Sequence, residues 1–338
     1  MVAHSVDQLN RPMRDLRISV MDRCNFRCPY CMPKDTYGEG YRFLGANERL
    51  SFGEITRLAA IFVRLGVHKV RLTGGEPLLR AGLSELIGDL AAIDGVKDVA
   101  LTTNGVLLKK YAEDLHAQGL SRVTVSLDSL DPTVFKIMSG GMGDPQEVLS
   151  GIHAALEAGL TPVKINCVVE RGLNEDAPLQ LIEAFRHQNV CIRFIEYMDV
   201  GNRNHWQLDR VVPSQELHNR IHATHALEPL EPLYPGEVAN RYRLQDGSLE
   251  VGFISSVTQP FCGGCTRARL SSDGVFYTCL FATEGLDLKS PLRDGATDDE
   301  LTSLIQSRWL NRQDRYSELR AGPNFKGRKK IEMYYIGG

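Results

Sequence analysis

Between residues 15 and 198 the chain repeats one pattern of apolar and polar positions: a short β-rich run, a turn, then a helical stretch. The pattern predicts six strand–helix units, with strands over residues 16–20, 69–73, 99–103, 122–127, 162–169 and 192–197. After the first strand, Ser51 and Glu54 form a capping box for a helix that ends at Gly66. Further helices are predicted near residues 83–92, 107–118 and 148–159. Six such units in a row predict a parallel sheet with right-handed crossovers.

Within the strands, apolar residues alternate with polar or charged ones, and successive side chains point to opposite faces of a sheet. The apolar face must therefore meet the helices, and the other face looks into the lumen of a curved sheet. That inner face would carry Arg17, Lys69, Arg71, Lys164 and Arg193. Because uncompensated buried cations are costly, the lumen is predicted to receive a multiply charged anion, most simply a polyphosphate. The alternative is that each cation pairs with a nearby carboxylate, although this face offers few acids besides Asp128.

The pattern changes over residues 199–240, where several prolines interrupt a polar stretch. We therefore expect a flexible N-terminal segment over residues 1–13, a barrel domain over 14–212 and a smaller C-terminal α+β region over 213–338. Strands near 241–245 and 275–280 and a late helix near 299–309 are predicted in the last region.

Composition excludes several classes of function. The 338 residues are 43% hydrophobic, the formal net charge is −3 and the isoelectric point is about 6.3, which gives no support to nucleic-acid binding by the whole surface. Residues 1–14 lack an apolar core, and no run approaches the roughly 18 apolar residues of a membrane span. A cytoplasmic protein is expected. The basic stretch at residues 327–330 is interpreted as a solvated or anion-facing patch.

Cys24, Cys28 and Cys31 form a C-x3-C-x2-C loop directly after the first apolar run. A [4Fe–4S] cube accepts one thiolate per iron, so three cysteines leave one iron open to a small molecule. Zinc is the alternative, but structural zinc usually takes four ligands and no local fourth Cys or His completes the loop. Cys167 and Cys191 stand alone in apolar runs and are interpreted as core residues.

A second triplet, Cys262, Cys265 and Cys279, again supplies three ligands rather than four. Zinc with an additional His, or a purely structural cluster, remains open for this triplet, since C-x2-C is common in structural zinc sites. His218 and His222 are spaced one helical turn apart, but without a metalloprotease glutamate they are interpreted as an exposed helix face.

Several motifs together resemble one family. They are the cysteine loop at 24–31, Gly74-Gly75-Glu76-Pro77, Thr102-Thr103-Asn104-Gly105, Ser126-Leu127-Asp128-Ser129, the second triplet with Arg267 and Arg269, and the terminal Gly337-Gly338. The chain resembles the GTP 3′,8-cyclase family of radical S-adenosylmethionine enzymes, from about Arg14 to its last residue. The resemblance implies an incomplete (β/α)6 TIM-like barrel closed by the C-terminal region, two [4Fe–4S] clusters and S-adenosylmethionine as cofactors.

The resemblance also implies roles for individual residues. The S-adenosylmethionine site would be lined by Tyr30, Gly75, Ser126 and Met198. GTP would be bound by Arg17, Arg71, Thr102, Lys164, Arg267, Ala268 and Arg269. The tail ending in Gly337 and Gly338 would reach into the active site and act in catalysis, with Tyr334 and Tyr335 anchoring it outside the lumen.

The implied reaction starts with a 5′-deoxyadenosyl radical that removes the 3′ hydrogen of GTP, after which C3′ bonds to C8. The implied partners are a one-electron donor such as a flavodoxin or ferredoxin and a downstream cyclic pyranopterin monophosphate synthase, with the enzyme a monomer or homodimer. Two alternatives stay open: a radical enzyme that modifies a peptide, and a zinc-stapled binding module without activity.

Overall fold

The computed structural model describes residues 5–320 and 328–338. Its central strands are β1 (Asp15–Ser19), β2 (Lys69–Thr73), β3 (Asp98–Thr103), β4 (Arg122–Ser126), β5 (Val163–Val169) and β6 (Val190–Glu196). Each pairs in parallel with the next in chain order. The six predicted strands and their parallel order are confirmed, with ends that differ by one or two residues.

Helices connect these strands and cover the apolar face of the sheet. They are α1 (Phe52–Arg64), α2 (Leu83–Ala91), α3 (Leu108–Ala117), α4 (Pro132–Met138), α5 (Pro145–Glu157) and α6 (Ala177–Phe185). The capping box of α1 is confirmed, because Ser51 Oγ accepts from the Glu54 amide at 3.2 Å and the Glu54 carboxylate accepts from the Ser51 amide at 2.7 Å. The strand residues that face these helices, among them Leu16, Ile18 and Val70, are completely buried.

The C-terminal region adds strands to both edges of the sheet. These are β7 (Leu227–Leu230), β8 (Asn240–Leu244), β9 (Glu250–Ile254), β10 (Arg267–Leu270), β11 (Val275–Tyr277) and β12 (Leu286–Asp287). Strand β9 pairs in parallel with β6, and β10 pairs in parallel with β1. Within the described residues this gives one sheet of twelve strands, in the order β12-β11-β10-β1-β2-β3-β4-β5-β6-β9-β8-β7.

The remaining helices are α7 (Ser214–Thr224), α8 (Lys289–Arg293), α9 (Asp298–Leu310), α10 (Tyr316–Leu319) and α11 (Met333–Ile336). The predicted late helix and the predicted strands near 241 and 275 are confirmed. Strands β7, β9, β10 and β12 were not predicted, because such short segments become strands through pairing with distant edges rather than through local propensity. No helix in the described ranges is long and apolar enough to cross a bilayer.

The expectation of a flexible N-terminal segment is wrong for residues 5–13, which pack against the rest of the chain. Residues 1–4 lie outside the described ranges, but Asp7, Arg11 and Met13 are buried, and Val6 bridges Pro12. The Trp309 indole of α9 donates to the Arg11 carbonyl at 3.1 Å. The segment is ordered because its partners come from the far end of the chain, which a local reading of its polar composition does not show.

Candidate active site

The first cysteine triplet lies on the loop that leaves β1 and lines a cavity of about 140 Å³ together with Gly74 and Gly75. The Gly75 amide donates to the Met21 carbonyl at 2.7 Å, and the Glu76 amide donates to the Arg23 carbonyl at 2.8 Å. A Cβ on Gly75 would lie 2.2 Å from the Arg23 carbonyl oxygen. Glycine is therefore required for the turn after β2 to pack against the cysteine loop.

The three cysteines of this loop are half-buried, and no disulfide links them. Burial raises the pKa of Cys24 to about 12 and raises those of Cys28 and Cys31 as well, because the thiolate loses its solvation. A cationic iron–sulfur cluster would supply the missing compensation for three thiolates. The donor set thus fits a cluster. Nowhere in the described ranges do three potential ligands approach closely enough to share a single metal ion.

The second triplet lines a larger cavity of about 290 Å³. Cys262 opens a 3-10 turn, and the Cys265 amide donates to its carbonyl at 3.2 Å. Cys265 Sγ accepts from Arg267 Nε at 3.3 Å and from Arg312 Nη2 at 3.2 Å. Burial opposes ionisation of this thiol, but Arg267 and Arg312 lower its pKa to about 6. The two guanidinium groups thus favour the thiolate form of Cys265, which is the form that binds a metal.

Between the two triplets, the larger cavity is lined by cations from adjacent strands. In register, Arg269 of β10 lies beside Arg17 of β1, which lies beside Arg71 of β2. Arg71 Nη1 donates to the hydroxyls of Thr102 at 3.0 Å and Thr124 at 3.1 Å. Burial, together with neighbouring arginines, lowers the pKa of Arg17 to about 10 and that of Arg71 to about 9.

The prediction that these cations are uncompensated holds for some of them and not for others. Within the described residues, Arg17, Arg71 and Arg193 form no ion pair with a carboxylate. Lys69 differs, since its Nζ lies 3.6 Å from Asp15 Oδ1 and 4.0 Å from Asp98 Oδ2. For Lys69, pairing with carboxylates is the correct interpretation.

Two predicted GTP residues are placed differently from the rest. Lys164 pairs in register with Thr124 on the inner face, but it is not among the residues that line the larger cavity. Burial, followed by repulsion from Arg193, lowers its pKa to about 8. Ala268 alternates with its two arginine neighbours on β10, and its side chain is completely buried in the core.

The two cavities adjoin, because both are lined by Tyr30, Thr102, Ser126, Asp128 and Gly338. Of the residues predicted for S-adenosylmethionine, Gly75 lines the smaller cavity, Met198 lines the larger one, and Tyr30 and Ser126 line both. The Tyr30 hydroxyl donates to Asp128 Oδ2 at 2.7 Å, and the Val168 amide donates to Asp128 Oδ1 at 2.8 Å. Asp128 was not predicted as a site residue, although its place two residues after the end of β4 was the available signal.

The C-terminal tail reaches this junction. Arg269 Nη1 donates to the Gly337 carbonyl, and Gly337 has a φ of +74°. A Cβ on Gly337 would lie 2.5 Å from Thr73 Cγ2. Tyr334 is buried, and its hydroxyl lies 2.9 Å from that of Tyr41. The tail is thus tied down by aromatic contacts, and its last glycine lines both cavities.

Comparison with known proteins gives consistent matches. Residues 18–185 match the Radical SAM superfamily, and residues 190–318 match Molybdenum Cofactor Synthesis C. The chain is 53% identical to a GTP 3′,8-cyclase of Xanthomonas axonopodis pv. citri (strain 306) over 338 residues, covering 100% of each protein. It is 48% identical to a GTP 3′,8-cyclase of Staphylococcus aureus (strain Mu3 / ATCC 700698), again over 100% of each. Among solved structures, Streptococcus suis SuiB bound to S-adenosylmethionine shares the fold, with a TM-score of 0.63, 14% identity and coverage of 97% of this chain and 77% of that one.

Proposed function

The chain belongs to the GTP 3′,8-cyclase family of radical S-adenosylmethionine enzymes, and we propose that it converts GTP into (8S)-3′,8-cyclo-7,8-dihydro-GTP in molybdenum cofactor biosynthesis. It is accordingly a lyase that uses S-adenosylmethionine and an iron–sulfur cluster. One observation carries the assignment of this reaction to the site. Two adjoining cavities have a cysteine triplet at each end and a cluster of arginines between them.

We assign one [4Fe–4S] cluster to Cys24, Cys28 and Cys31 and a second to Cys262, Cys265 and Cys279. When bound, the first cluster would pass one electron to S-adenosylmethionine and so supply a 5′-deoxyadenosyl radical that removes the 3′ hydrogen of GTP. After C3′ bonds to C8, one further electron from the donor and a proton would complete the dihydro product. Tyr30, Gly75, Ser126 and Met198 then hold S-adenosylmethionine across the junction of the cavities.

The arginines of the larger cavity bind the triphosphate in this proposal. Arg17, Arg71 and Arg269 face the cavity side by side, and Arg71 is oriented by Thr102. A polyphosphate neutralises these guanidinium groups, which have no carboxylate partner, and the planar guanidinium matches the geometry of phosphate. Arg267 adds charge to the same cavity, and Lys164, which does not line it, adds charge from the inner face of β5. Phosphate contacts then hold one end of GTP, and the second cluster holds its base. The ribose is thereby fixed between the two.

The remaining partners are proposed on the family alone. We propose a flavodoxin or ferredoxin as the one-electron donor and a cyclic pyranopterin monophosphate synthase as the enzyme that uses the product. A cytoplasmic monomer or homodimer suits these partners.

The proposal is tested by anaerobic incubation with S-adenosylmethionine, a reductant and GTP, with 5′-deoxyadenosine and the cyclised nucleotide measured together. Serine at Cys262, Cys265 or Cys279 should leave 5′-deoxyadenosine formation largely intact but abolish cyclisation, since this triplet is proposed to position the base. Iron content should fall to about half that of the wild type. Cys191→Ser is the matched control, because Cys191 is a buried cysteine outside both triplets. Full cyclisation with half of the iron would contradict the role of this triplet.

Arg17→Met should show that the arginine cluster serves binding rather than folding. Removing a half-buried cation that no carboxylate neutralises should stabilise the unliganded protein by about 1 kcal/mol, measured as a higher melting temperature. The same change should weaken GTP binding about tenfold or more, because a charge-assisted hydrogen bond contributes about 1.5–3 kcal/mol. The loss should be smaller for guanosine, which has no triphosphate.

The control for this variant is Arg243→Met, which removes an exposed arginine on β8. It should change neither the melting temperature nor the affinity for GTP. Equal losses of affinity for GTP and guanosine in Arg17→Met would show that Arg17 supports the fold instead.

A further inference from the structure

Three buried polar side chains lie beside the second cysteine triplet, and no motif pointed to them; one of them, Arg312, also lines the larger cavity. Asp7 and Arg11 come from the N-terminal segment, and Arg312 follows α9. Asp7 Oδ2 lies 2.6 Å from Arg11 Nε and 3.2 Å from Arg312 Nη1. The side chains of all three are at most 2% exposed. We call this set the Asp7 triad.

The two arginines of the triad hold both ends of the cysteine turn. Arg11 Nη1 donates to the Cys262 carbonyl at 2.8 Å, and Arg312 Nη1 donates to the Cys265 carbonyl at 2.7 Å. Arg312 Nη2 then reaches the sulfur itself, at 3.2 Å from Cys265 Sγ. A backbone that is held at two carbonyls keeps the thiols in place whether or not a cluster is bound.

The groups around the triad orient the Arg312 guanidinium towards the sulfur of Cys265. Asp7 neutralises part of the charge of both arginines, and Asp314 Oδ2 lies 3.5 Å from Arg312 Nε. Asp314 itself accepts from the Thr278 hydroxyl at 2.6 Å, beside Cys279. The Arg312 guanidinium also lies 4.6 Å from the centre of the Trp309 ring, which fixes its plane. Of its nitrogens, Nη2 is the one that donates to Cys265 Sγ.

We propose that the Asp7 triad is a positioning device for the second cluster, in which Arg11 and Arg312 hold the cysteine turn and Arg312 sets the reduction potential through its contact with Cys265. The inference rests on the second cluster of the proposed function. Cations and N–H donors near cluster sulfurs favour the reduced form, so they raise the potential. Asp7 and Arg11 precede residue 18, where the matched family regions begin, so this part of the site lies outside them.

The test isolates the second cluster by placing serine at Cys24, Cys28 and Cys31, and it measures iron content and the midpoint potential by an electron paramagnetic resonance titration. Arg312→Gln should shift the potential to more negative values, because a cation beside the cluster is lost. Asp7→Asn should shift it to more positive values, because Arg312 is then less neutralised. Arg312→Lys should restore most of the potential by restoring the charge. Arg308→Gln, on α9 with a half-exposed side chain, is the control and should leave the potential unchanged.

Shifts of opposite sign in Arg312→Gln and Asp7→Asn would support the proposal, since a turn that is merely loosened would respond in the same direction to both changes. Shifts of the same sign, or none, would overturn it. If Arg312→Gln does not accumulate as folded protein, the nearly isosteric Asp7→Asn decides by its sign alone. The second cluster could also be absent both from the triple-serine protein and from the protein with all six cysteines. That result would contradict the proposed two-cluster function itself, and it is distinct from an unchanged potential.

Discussion

Replacing Cys28 with serine should abolish the formation of 5′-deoxyadenosine, and the same holds for Cys24 and Cys31. The three thiols line one cavity with the glycine turn, and no other cysteine lines it. A serine hydroxyl is a poor ligand for the iron of a cluster, which takes thiolates. With one of only three ligands lost, the first cluster should be missing and iron content should fall to about half.

The measurement is quantitation of 5′-deoxyadenosine by chromatography after anaerobic reduction, together with iron analysis of each variant. Cys191→Ser should behave as the unmodified protein, because its sulfur contacts Glu250 and lies outside both cavities. Cleavage of S-adenosylmethionine at a normal rate in any one of the triplet variants would reject the assignment of the first cluster.

Loss of the two terminal glycines should leave cluster content and melting temperature nearly unchanged while hydrogen abstraction from GTP falls steeply. Gly338 lines both cavities, and the Gly337 carbonyl accepts from Arg269, one of the cavity arginines. The deletion therefore opens the junction of the cavities and frees an arginine there. The helix before the glycines stays anchored by the buried Tyr334 and Ile336. A tag added after Gly338 should have the same effect, because it cannot be accommodated at the junction.

Gly337→Ala tests the same idea with a single methyl group. Its φ of +74° is costly for alanine by about 1 kcal/mol, and the new Cβ would lie 2.5 Å from Thr73 Cγ2. Adding Thr73→Ser removes that methyl and should recover part of the lost activity. Gly295→Ala is the control, because Gly295 has a φ of +91° and open space around it. It introduces similar backbone strain without affecting the tail. Cyclisation at the normal rate by the truncated protein would show that the tail has no part in the reaction.

The periodicity of apolar and polar residues was sufficient to predict the strands of the central sheet. Alternation in segments such as Lys69–Thr73 identified both the strand and the face of each side chain, since a strand has only two faces. Cys24, Cys28 and Cys31 were predicted to act together for a similar reason, because cysteines spaced closely along the chain lie close together in space, and all three line the smaller cavity. Their role as cluster ligands stays a prediction. The roles of the remaining site residues stay predictions, although Tyr30, Thr102 and Ser126 do meet at the junction of the cavities.

Tertiary structure alone decided which cations are compensated and how the second triplet is held. Lys69 and Arg71 occupy equivalent places in the alternation of β2, yet only Lys69 lies near carboxylates, which come from the neighbouring strands β1 and β3. Strand β10 and the Asp7 triad exist because segments hundreds of residues apart pair or form ion pairs. Local sequence determines which faces and ligands a segment offers. Which charges meet depends on contacts between distant segments, and no local pattern encodes those contacts.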